Sequence, residues 1–208
     1  MPDPLQHLDF EALIDRSLDD PGAVAELERR YQTETAIAVV DFTNMLQRTE
    51  AMGIVHALAQ ARSALKTMQP AIQASGGQIL KQVADTFIAI FPTPRQALLG
   101  ALDAQARLGQ RSQPRTDGCG CSDDVIQACV GLGYGASLLV PQPDIFGAEV
   151  NRAYVLGEDV AAGGEILATS AFLEALGPLP PGIGTFKANA SRARKVGFHF
   201  FEVRDYRE

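Results

Sequence analysis

The sequence has few cysteines and histidines, and it has no long apolar run. Three cysteines are an odd number, which argues against a disulfide framework. No stretch approaches the roughly 18 consecutive apolar residues that a membrane span requires. The acidic start of the chain, MPDPLQHLDFEALIDRSLDD, lacks the basic end and the apolar centre of a signal peptide. We therefore expect a cytoplasmic protein that has no membrane partner.

Basic residues are also fewer than acidic residues. The 18 lysines and arginines stand against 25 aspartates and glutamates, which leaves a formal net charge of -7. Nonspecific binding to nucleic acid depends on a basic surplus, so we expect no nucleic-acid partner. A phosphate-bearing ligand would have to be bound by a few placed residues or through metal ions.

The cysteines and histidines form no metal-binding motif. Cys119 and Cys121 lie in a CGC loop, Cys129 follows further along the chain, and the histidines are scattered. A structural zinc site needs four ligands, usually in paired C-x-x-C units, so we interpret the cysteines as reduced thiols. The chain also has no G-x-S-x-G element, which argues against serine hydrolase chemistry.

The composition is that of a globular protein, with 46% hydrophobic and 21% charged residues among 208. At roughly 150 residues per domain, this length allows one main core with an extension. Apolar residues at helical spacing predict two short helices over residues 8–32. We therefore divide the chain into an N-terminal helical extension, 1–34, and a main domain, 35–208.

Strand and helix patterns alternate in the main domain. Apolar runs bounded by turn residues predict strands at 35–42, 78–83, 86–91, 125–134, 164–169 and 196–203. Helical spacing predicts helices at 54–76 and 97–108, a third from about 150, and a fourth that ends at 176. This order predicts an α+β fold, a ferredoxin-like split β-α-β-β-α-β antiparallel sheet with helices on one face.

A glycine-rich segment, GLGYG, lies in the fourth predicted strand. Its G-x-G-x-G spacing differs from the G-x-G-x-x-G of a dinucleotide-binding loop, and the chain contains no G-K-[ST]. We interpret Gly131, Gly133 and Gly135 as packing positions, where a helix or a ligand approaches the bare backbone closely.

Two acids stand at the ends of neighbouring predicted strands. Asp41 ends the first strand, Asp85 lies at the tip of the hairpin, and Lys81 precedes it on the same hairpin. Two carboxylates that converge repel each other unless a cation lies between them, and Mg²⁺ is the usual cation with phosphate substrates. Taken alone, such acids are more often turn formers or helix caps.

Four motifs between residues 36 and 203 resemble, in order, the catalytic domain of class III adenylate/guanylate cyclases. AVVDFTNM is similar to the family's first strand, F-x-D-[IV]-x-G-F-T, and KQVADTFIAIF to its K-x-x-G-D hairpin. CVGLGYG is similar to its glycine strand, and DIFGAEVN to the D-x-x-G-x-x-V-N start of its next helix. The resemblance implies the nucleotidyl cyclase catalytic-domain fold.

The resemblance also implies a two-metal mechanism. It places two divalent ions, Mg²⁺ or Mn²⁺, on Asp41, Asp85 and the backbone carbonyl of Phe42, where they would activate the ribose 3′-hydroxyl and neutralise the triphosphate. The substrate-binding residues that it implies are Lys81 and Asp144 for the purine, and the amides of Thr43, Asn44 and Met45 for phosphate.

The nucleotide and the assembly follow from the same resemblance. A lysine donor for adenine N1 and an aspartate acceptor for the 6-amino group suit ATP, whereas guanine requires the reverse polarity. In the family, one protomer supplies the metal-binding acids of a site and the other supplies an asparagine, here Asn151. The resemblance therefore implies a homodimer.

The chain departs from the family pattern at three kinds of position. Val155 stands where the family has an arginine that stabilises charge on the reacting phosphate, and Arg152 would point about 100° away around the helix. Such arginines contribute on the order of 10³-fold, so weak or absent turnover is expected. Asn44 and Ala84 replace family glycines. The family's C-terminal lysine that contacts phosphate has no clear match here. Its candidates are Lys187, Arg192, Arg194 and Lys195. The alternative interpretation is that these residues form a solvated basic turn.

Three functions remain open from the sequence. The first is an adenylate cyclase, slow for lack of the arginine. The second is a catalytically degenerate cyclase-fold module that binds nucleotide in signalling. The third is a partner subunit whose acids form a site with the arginine of another cyclase chain.

Overall fold

The computed structural model of the protein describes residues 4–111 and 126–207, so the CGC loop lies outside the described residues. The strands are β1 (Gln32–Phe42), β2 (Gln78–Val83), β3 (Thr86–Phe91), β4 (Ala128–Val140), β5 (Asp144–Phe146), β6 (Ile166–Thr169), β7 (Ile183–Lys187) and β8 (Phe200–Asp205). The helices are α1 (Pro4–Ser17), α2 (Pro21–Tyr31), α3 (Met45–Met52), α4 (Ile54–Ala74), α5 (Pro94–Arg111), α6 (Ala148–Tyr154), α7 (Ser170–Leu176) and α8 (Ala190–Val196). A π-helical turn, Val155–Val160, continues α6.

The strands form one sheet in the order β2-β3-β1-β4-β6-β8-β7, and β5 pairs with the end of β4. The β4–β6 pair is parallel and the other pairs are antiparallel. Strands β1 to β4 with α4 and α5 make the predicted split β-α-β-β-α-β unit, so the predicted α+β fold is confirmed. Its centre is β1, which pairs with β3 on one side and with β4 on the other.

The alternating side chains of β1 face two different cores. Ala38 and Val40 are buried with Met68 of α4 and with residues of α5. Ile37 and Val39 are buried on the opposite face, in a cluster that includes residues of α6. The prediction of helices on one face only was wrong, because α6 packs on the other face. Since β1 is apolar at successive positions, both of its faces must be covered.

The glycines of β4 explain how α6 approaches the sheet. A Cβ atom added to Gly131 would lie 2.1 Å from the carbonyl oxygen of Ala153, and one added to Gly133 would lie 2.5 Å from that of Glu149. Side chains at these positions would force the helix away from the strand. The packing role predicted for these glycines is confirmed, and the element that they admit is α6.

Other predicted elements differ in their bounds or were missed. Strand β4 continues to Val140 because its second half pairs with the start of β1 and with β5. The last strand begins at Phe200 rather than at residue 196, because the preceding residues form α8, capped by the side chain of Asn189. The elements that the sequence patterns missed are α3, β5, β7 and α8.

The N-terminal helices α1 and α2 form a small cluster of their own. Phe10, Leu13, Ala23 and Leu27 are buried in it, and Val140 of β4 packs against them. The division into 1–34 and 35–208 stays a prediction, and β1 already begins at Gln32. Within the described ranges, no helix combines the length and apolarity needed to cross a membrane.

Candidate functional site

The acid pair lies at one end of the central strands, on the face that α6 covers. Asp41 is the penultimate residue of β1, and the hydroxyl of Thr86, which opens β3, donates to its Oδ1 at 3.2 Å. Burial, and then the negative charge of Asp85, raise the pKa of Asp41 to about 6. The structure thus brings the two predicted acids into electrostatic contact, and Asp85 in the turn between β2 and β3 stays half-buried.

This donor set suits a hard divalent cation. Two carboxylates and the backbone carbonyl of Phe42 are oxygen ligands of the kind that Mg²⁺ and Mn²⁺ take. Burial is the first cause of the raised pKa of Asp41 and the negative charge of Asp85 is the second, and a bound cation would favour the charged form of this carboxylate. The structure groups no three or more His, Cys, Asp or Glu side chains into a metal site within the residues it describes. Two side-chain carboxylates would therefore need phosphate or water oxygens to complete the coordination.

The thiol opposite Asp41 takes no part in such chemistry. Cys129 is the cross-strand partner of Asp41 on β4, and it is buried. Burial, with Asp41 and Glu165 adding negative charge, raises the pKa of this thiol to about 11. It is therefore protonated at neutral pH and acts as a small apolar side chain.

The turn after β1 offers fewer amides than the sequence suggests. The Thr43 amide donates to the carbonyl of Gln127 at 3.0 Å, and the Gln127 amide donates back to Thr43 Oγ1 at 3.2 Å. Arg48 Nε donates to the Thr43 carbonyl oxygen at 3.3 Å. Because the Thr43 amide is already bonded, only Asn44 and Met45 of the three predicted residues bring amides that start a helix, where N–H groups lack intrahelical partners.

The two residues expected to contact the purine form an ion pair. Lys81 Nζ lies 2.5 Å from Asp144 Oδ2, and the side chains are 35% and 30% exposed. The Ile145 amide donates to the other oxygen, Asp144 Oδ1, at 2.9 Å. The hydrogen bond that Lys81 donates to Asp144 raises the pKa of Lys81, so the ammonium stays charged. The partly exposed pair links β2, the first strand in the sheet order, to the start of β5.

Helix α6 carries the position where the family resemblance expects an arginine. Asn151 is exposed on the helix, and Val155 is half-buried where the helix widens into the π-helical turn. Arg152 pairs with the buried Glu149 at 2.5 Å and lies over the ring of Phe198, 5.8 Å from its centroid. These contacts engage Arg152 with Glu149 and Phe198, and its inability to replace the arginine stays a prediction.

The C-terminal basic residues divide into a structural one and exposed ones. Arg192 pairs with Glu165 at 2.7 Å and donates to the carbonyl of Val160, at the end of the π-helical turn, at 3.0 Å. It therefore anchors α8 to that turn and does not belong to a solvated loop. Lys187, Arg194 and Lys195 are exposed.

Three residues near the site were missed by the sequence patterns. Glu158, in the π-helical turn, adds negative charge that raises the pKa of Asp41. Burial and the same glutamate raise the pKa of Tyr154, whose phenol also interacts electrostatically with Lys81. Arg48 lies beneath the turn after β1, 3% exposed. No sequence motif marks these residues, because their burial and their charged neighbours depend on how the helices and the sheet pack.

Solved structures that match this fold include nucleotide cyclases. The guanylyl cyclase Cya2 matches with a TM-score of 0.67 and 19% identity, over 85% of this chain and 94% of that one. The adenylate/guanylate cyclase/hydrolase from Silicibacter pomeroyi matches at 0.65 and 22%, over 85% and 98%. The adenylyl cyclase CyaB from P. aeruginosa matches at 0.65 and 17%, over 85% and 96%.

These comparisons establish the fold, which is that of adenylate/guanylate cyclase catalytic domains. No protein-family model matches the chain, and no curated protein matches it significantly in sequence.

Proposed function

We propose that the protein is a class III nucleotidyl cyclase-like protein, which converts ATP into cyclic AMP and pyrophosphate slowly, at a homodimer interface. The observation that carries the proposal is the juxtaposition of two carboxylates, Asp41 and Asp85, at the sheet end that also carries the Asn44 and Met45 amides. When bound there, two Mg²⁺ or Mn²⁺ ions would activate the ribose 3′-hydroxyl and neutralise the triphosphate. The bound cations would also offset the repulsion between the phosphates and this chain, whose formal net charge is -7.

Backbone geometry at the two replaced glycines supports the assignment. Among the described residues, Asn44 and Ala84 are the non-glycine residues with positive φ, 61° and 52°. Both stand where the resemblance expects glycine. The backbone thus keeps a conformation that glycine adopts most easily, and it keeps it next to Asp41 and Asp85. Retained strain of this kind is typical of functional turns.

Lys81 and Asp144 would select the purine. The ammonium can donate to adenine N1, while the carboxylate can accept from the 6-amino group. Both side chains are already oriented by their mutual contact and by the Ile145 amide, so little side-chain entropy is lost when a base binds. This polarity favours ATP over GTP.

A second protomer would complete each site. The substrate would meet the acids of one protomer and Asn151 of the other. Large apolar side chains near the turn after β1 are exposed and fit a surface that a second copy covers: Leu46, Ile54, Val55 and Leu58. The cytoplasmic location expected from the sequence stays a prediction.

The valine at position 155 is compatible with two alternatives to a slow cyclase. Without a cation at this position, charge on the reacting phosphate lacks a stabiliser worth on the order of 10³-fold. A module that binds nucleotide without turnover, or a subunit completed by another cyclase's arginine, would use the same acids and the same Lys81–Asp144 pair.

One set of assays separates these functions. We would incubate the purified protein with Mn²⁺ and ATP or GTP and measure cyclic nucleotide and pyrophosphate. Turnover that survives Asp41→Ala combined with Asp85→Ala contradicts the two-metal assignment, and Asp15→Ala, an exposed acid on α1, is the matched control. Metal-dependent ATP binding without product selects the binding module. A gain of turnover in Val155→Arg identifies the missing arginine.

A further inference from the structure

A buried arginine supports the turn between β1 and α3. Arg48 is 3% exposed, and within the described residues only it and Glu149 are buried charged side chains. Its Nε donates to the Thr43 carbonyl oxygen at 3.3 Å, and its Nη1 donates to Gln60 Oε1 on α4 at 3.0 Å. Burying a guanidinium is costly, and it is tolerated where its donors are satisfied. One of these partners, the Thr43 carbonyl, belongs to the turn that is proposed to bind phosphate.

The contact fixes the orientation of one peptide group. The carbonyl of Thr43 and the N–H of Asn44 belong to the same trans peptide, so they point in opposite directions. Because the carbonyl points inward to Arg48, the Asn44 N–H points away from the guanidinium, on the side where Asn44 is exposed.

The neighbouring backbone turns this N–H into part of an anion-binding concavity. Asn44 is left-handed, with φ 61° and ψ 29°, and Met45 begins α3. Successive N–H groups in such a left-handed to right-handed sequence converge on one point. The cationic partner on the Thr43 carbonyl also polarises the peptide, which makes its N–H a stronger donor. Gln127 holds Thr43 from the opposite side, so the peptide has little freedom to flip.

We propose that Arg48 is a positioning residue for the triphosphate: it holds the Thr43–Asn44 peptide so that the Asn44 amide donates to a phosphate oxygen. This inference rests on the proposed function, because it requires that nucleotide phosphates bind at this turn. Arg48 itself stays buried and does not touch the substrate.

The test compares Arg48→Met and Arg48→Lys with the wild-type chain. Binding of ATP and of AMP, each with Mg²⁺, would be measured by calorimetry and by ¹⁵N NMR of the amides. We expect Arg48→Met to weaken ATP binding about tenfold, the usual cost of one hydrogen bond to a charged group, and AMP binding much less. Arg48→Lys should recover part of the loss, since an ammonium can still donate to the Thr43 carbonyl. Gln60→Met, which removes a second described partner of Arg48, should cost less than Arg48→Met.

A spectroscopic measurement on the wild-type chain keeps the inference testable if Arg48→Met does not fold. On addition of Mg²⁺ and ATP, the Asn44 amide proton should move downfield. An unmoved Asn44 amide in the ATP-bound protein, or equal losses for ATP and AMP in Arg48→Met, would overturn the role of Arg48 alone. A wild-type chain that binds no ATP would contradict the proposed function itself.

Discussion

Two pairs of charged side chains on the α6 side of the sheet differ in net charge: one pair is neutral overall and the other is negative. Lys81 and Asp144 neutralise each other and are ordered by direct contact. Asp41 and Asp85 carry the same sign, and the pKa of Asp41 is raised to about 6, burial being the first cause and Asp85 the second. A balanced pair can bind a neutral, hydrogen-bonding group such as a purine base, whereas an unbalanced pair requires a cation. Under the proposed function, the two pairs would have separate tasks: Asp41 and Asp85 would bind metal ions, and Lys81 and Asp144 would bind the base.

Removal of each pair in turn should produce the largest contrast. We expect Asp41→Ala combined with Asp85→Ala to reduce Mn²⁺ affinity by at least about 100-fold, because the side-chain ligands of the cation are lost. Lys81→Ala combined with Asp144→Ala should leave Mn²⁺ affinity within about twofold. Calorimetric titration with Mn²⁺ measures both. Equal losses in the two double variants would contradict the separation of tasks.

The balanced pair should control the choice of base. Lys81→Met removes the donor proposed for adenine N1 and leaves the lysine stem packed in place. We expect ATP affinity to fall about 30-fold, with GTP affinity changed less, since a missing hydrogen bond to a charged donor costs on the order of 2 kcal/mol. Competition between the two nucleotides measures this selectivity. An unchanged ratio of the two affinities would remove Lys81 from base recognition.

The unbalanced pair should weaken the metal-free fold at neutral pH. The pKa of Asp41 is about 6 in the folded chain against an ordinary value of 3.8, so the folded state holds this proton more tightly. Stability without metal is then greatest below about pH 4 as far as this group is concerned, and it falls as pH rises through 6. In EDTA at pH 7.5, Asp41→Asn should raise the unfolding free energy by about 1–2 kcal/mol, after allowance for partial exposure.

The control for that prediction is the same measurement at low pH. Near pH 4 the wild-type carboxyl is protonated in the folded chain, so the advantage of Asp41→Asn should shrink toward zero. Saturating Mg²⁺ should also reverse the order at pH 7.5, because the cation stabilises only the chain that keeps the carboxylate. An advantage that is independent of pH would point to packing and not to charge.

The smallest expected effect lies in the turn that carries Asp85. Ala84 has φ 52°, which costs an L-residue about 1 kcal/mol, and glycine relieves this cost while losing some unfolded-state entropy. Ala84→Gly should therefore raise the unfolding free energy by up to about 1 kcal/mol. Asn44→Gly should change it by only a few tenths, because asparagine tolerates this conformation. Chemical denaturation of both variants provides the comparison.

Local patterns were sufficient for several elements. The bounds of β2 and β3 agree with the predicted ones, because apolar and β-branched residues there are bracketed by Gly76-Gly77, the Ala84-Asp85 turn and Pro92. Helix α4 was found from its apolar stripe. The short helix α3 was missed because it spans only two turns and starts from a left-handed Asn44 without a side-chain cap.

The site was predictable in its residue types and not in its hydrogen bonds. Asp41 and Asp85 could be paired from the expected topology of their strands. The engagement of the Thr43 amide could not, because its partner Gln127 lies more than 80 residues further along the chain. In the sequence, Arg48 is indistinguishable from an ordinary helical arginine. Its burial is evident only in the folded chain, where it contacts α4 and the turn after β1. Glu158 joins the site only through the π-helical turn, which places it near Asp41.

The acidic balance of the chain and the order of its elements were present in the sequence, because composition and periodicity are local properties. They already required that any phosphate ligand be bound through cations or a few placed residues. Which carboxylates lie close together, which amide of the turn is already bonded, and which arginine is buried beneath the turn depended on tertiary packing. The physical reason is that desolvation and hydrogen bonding between distant segments exist only after the sheet and its helices have closed around them.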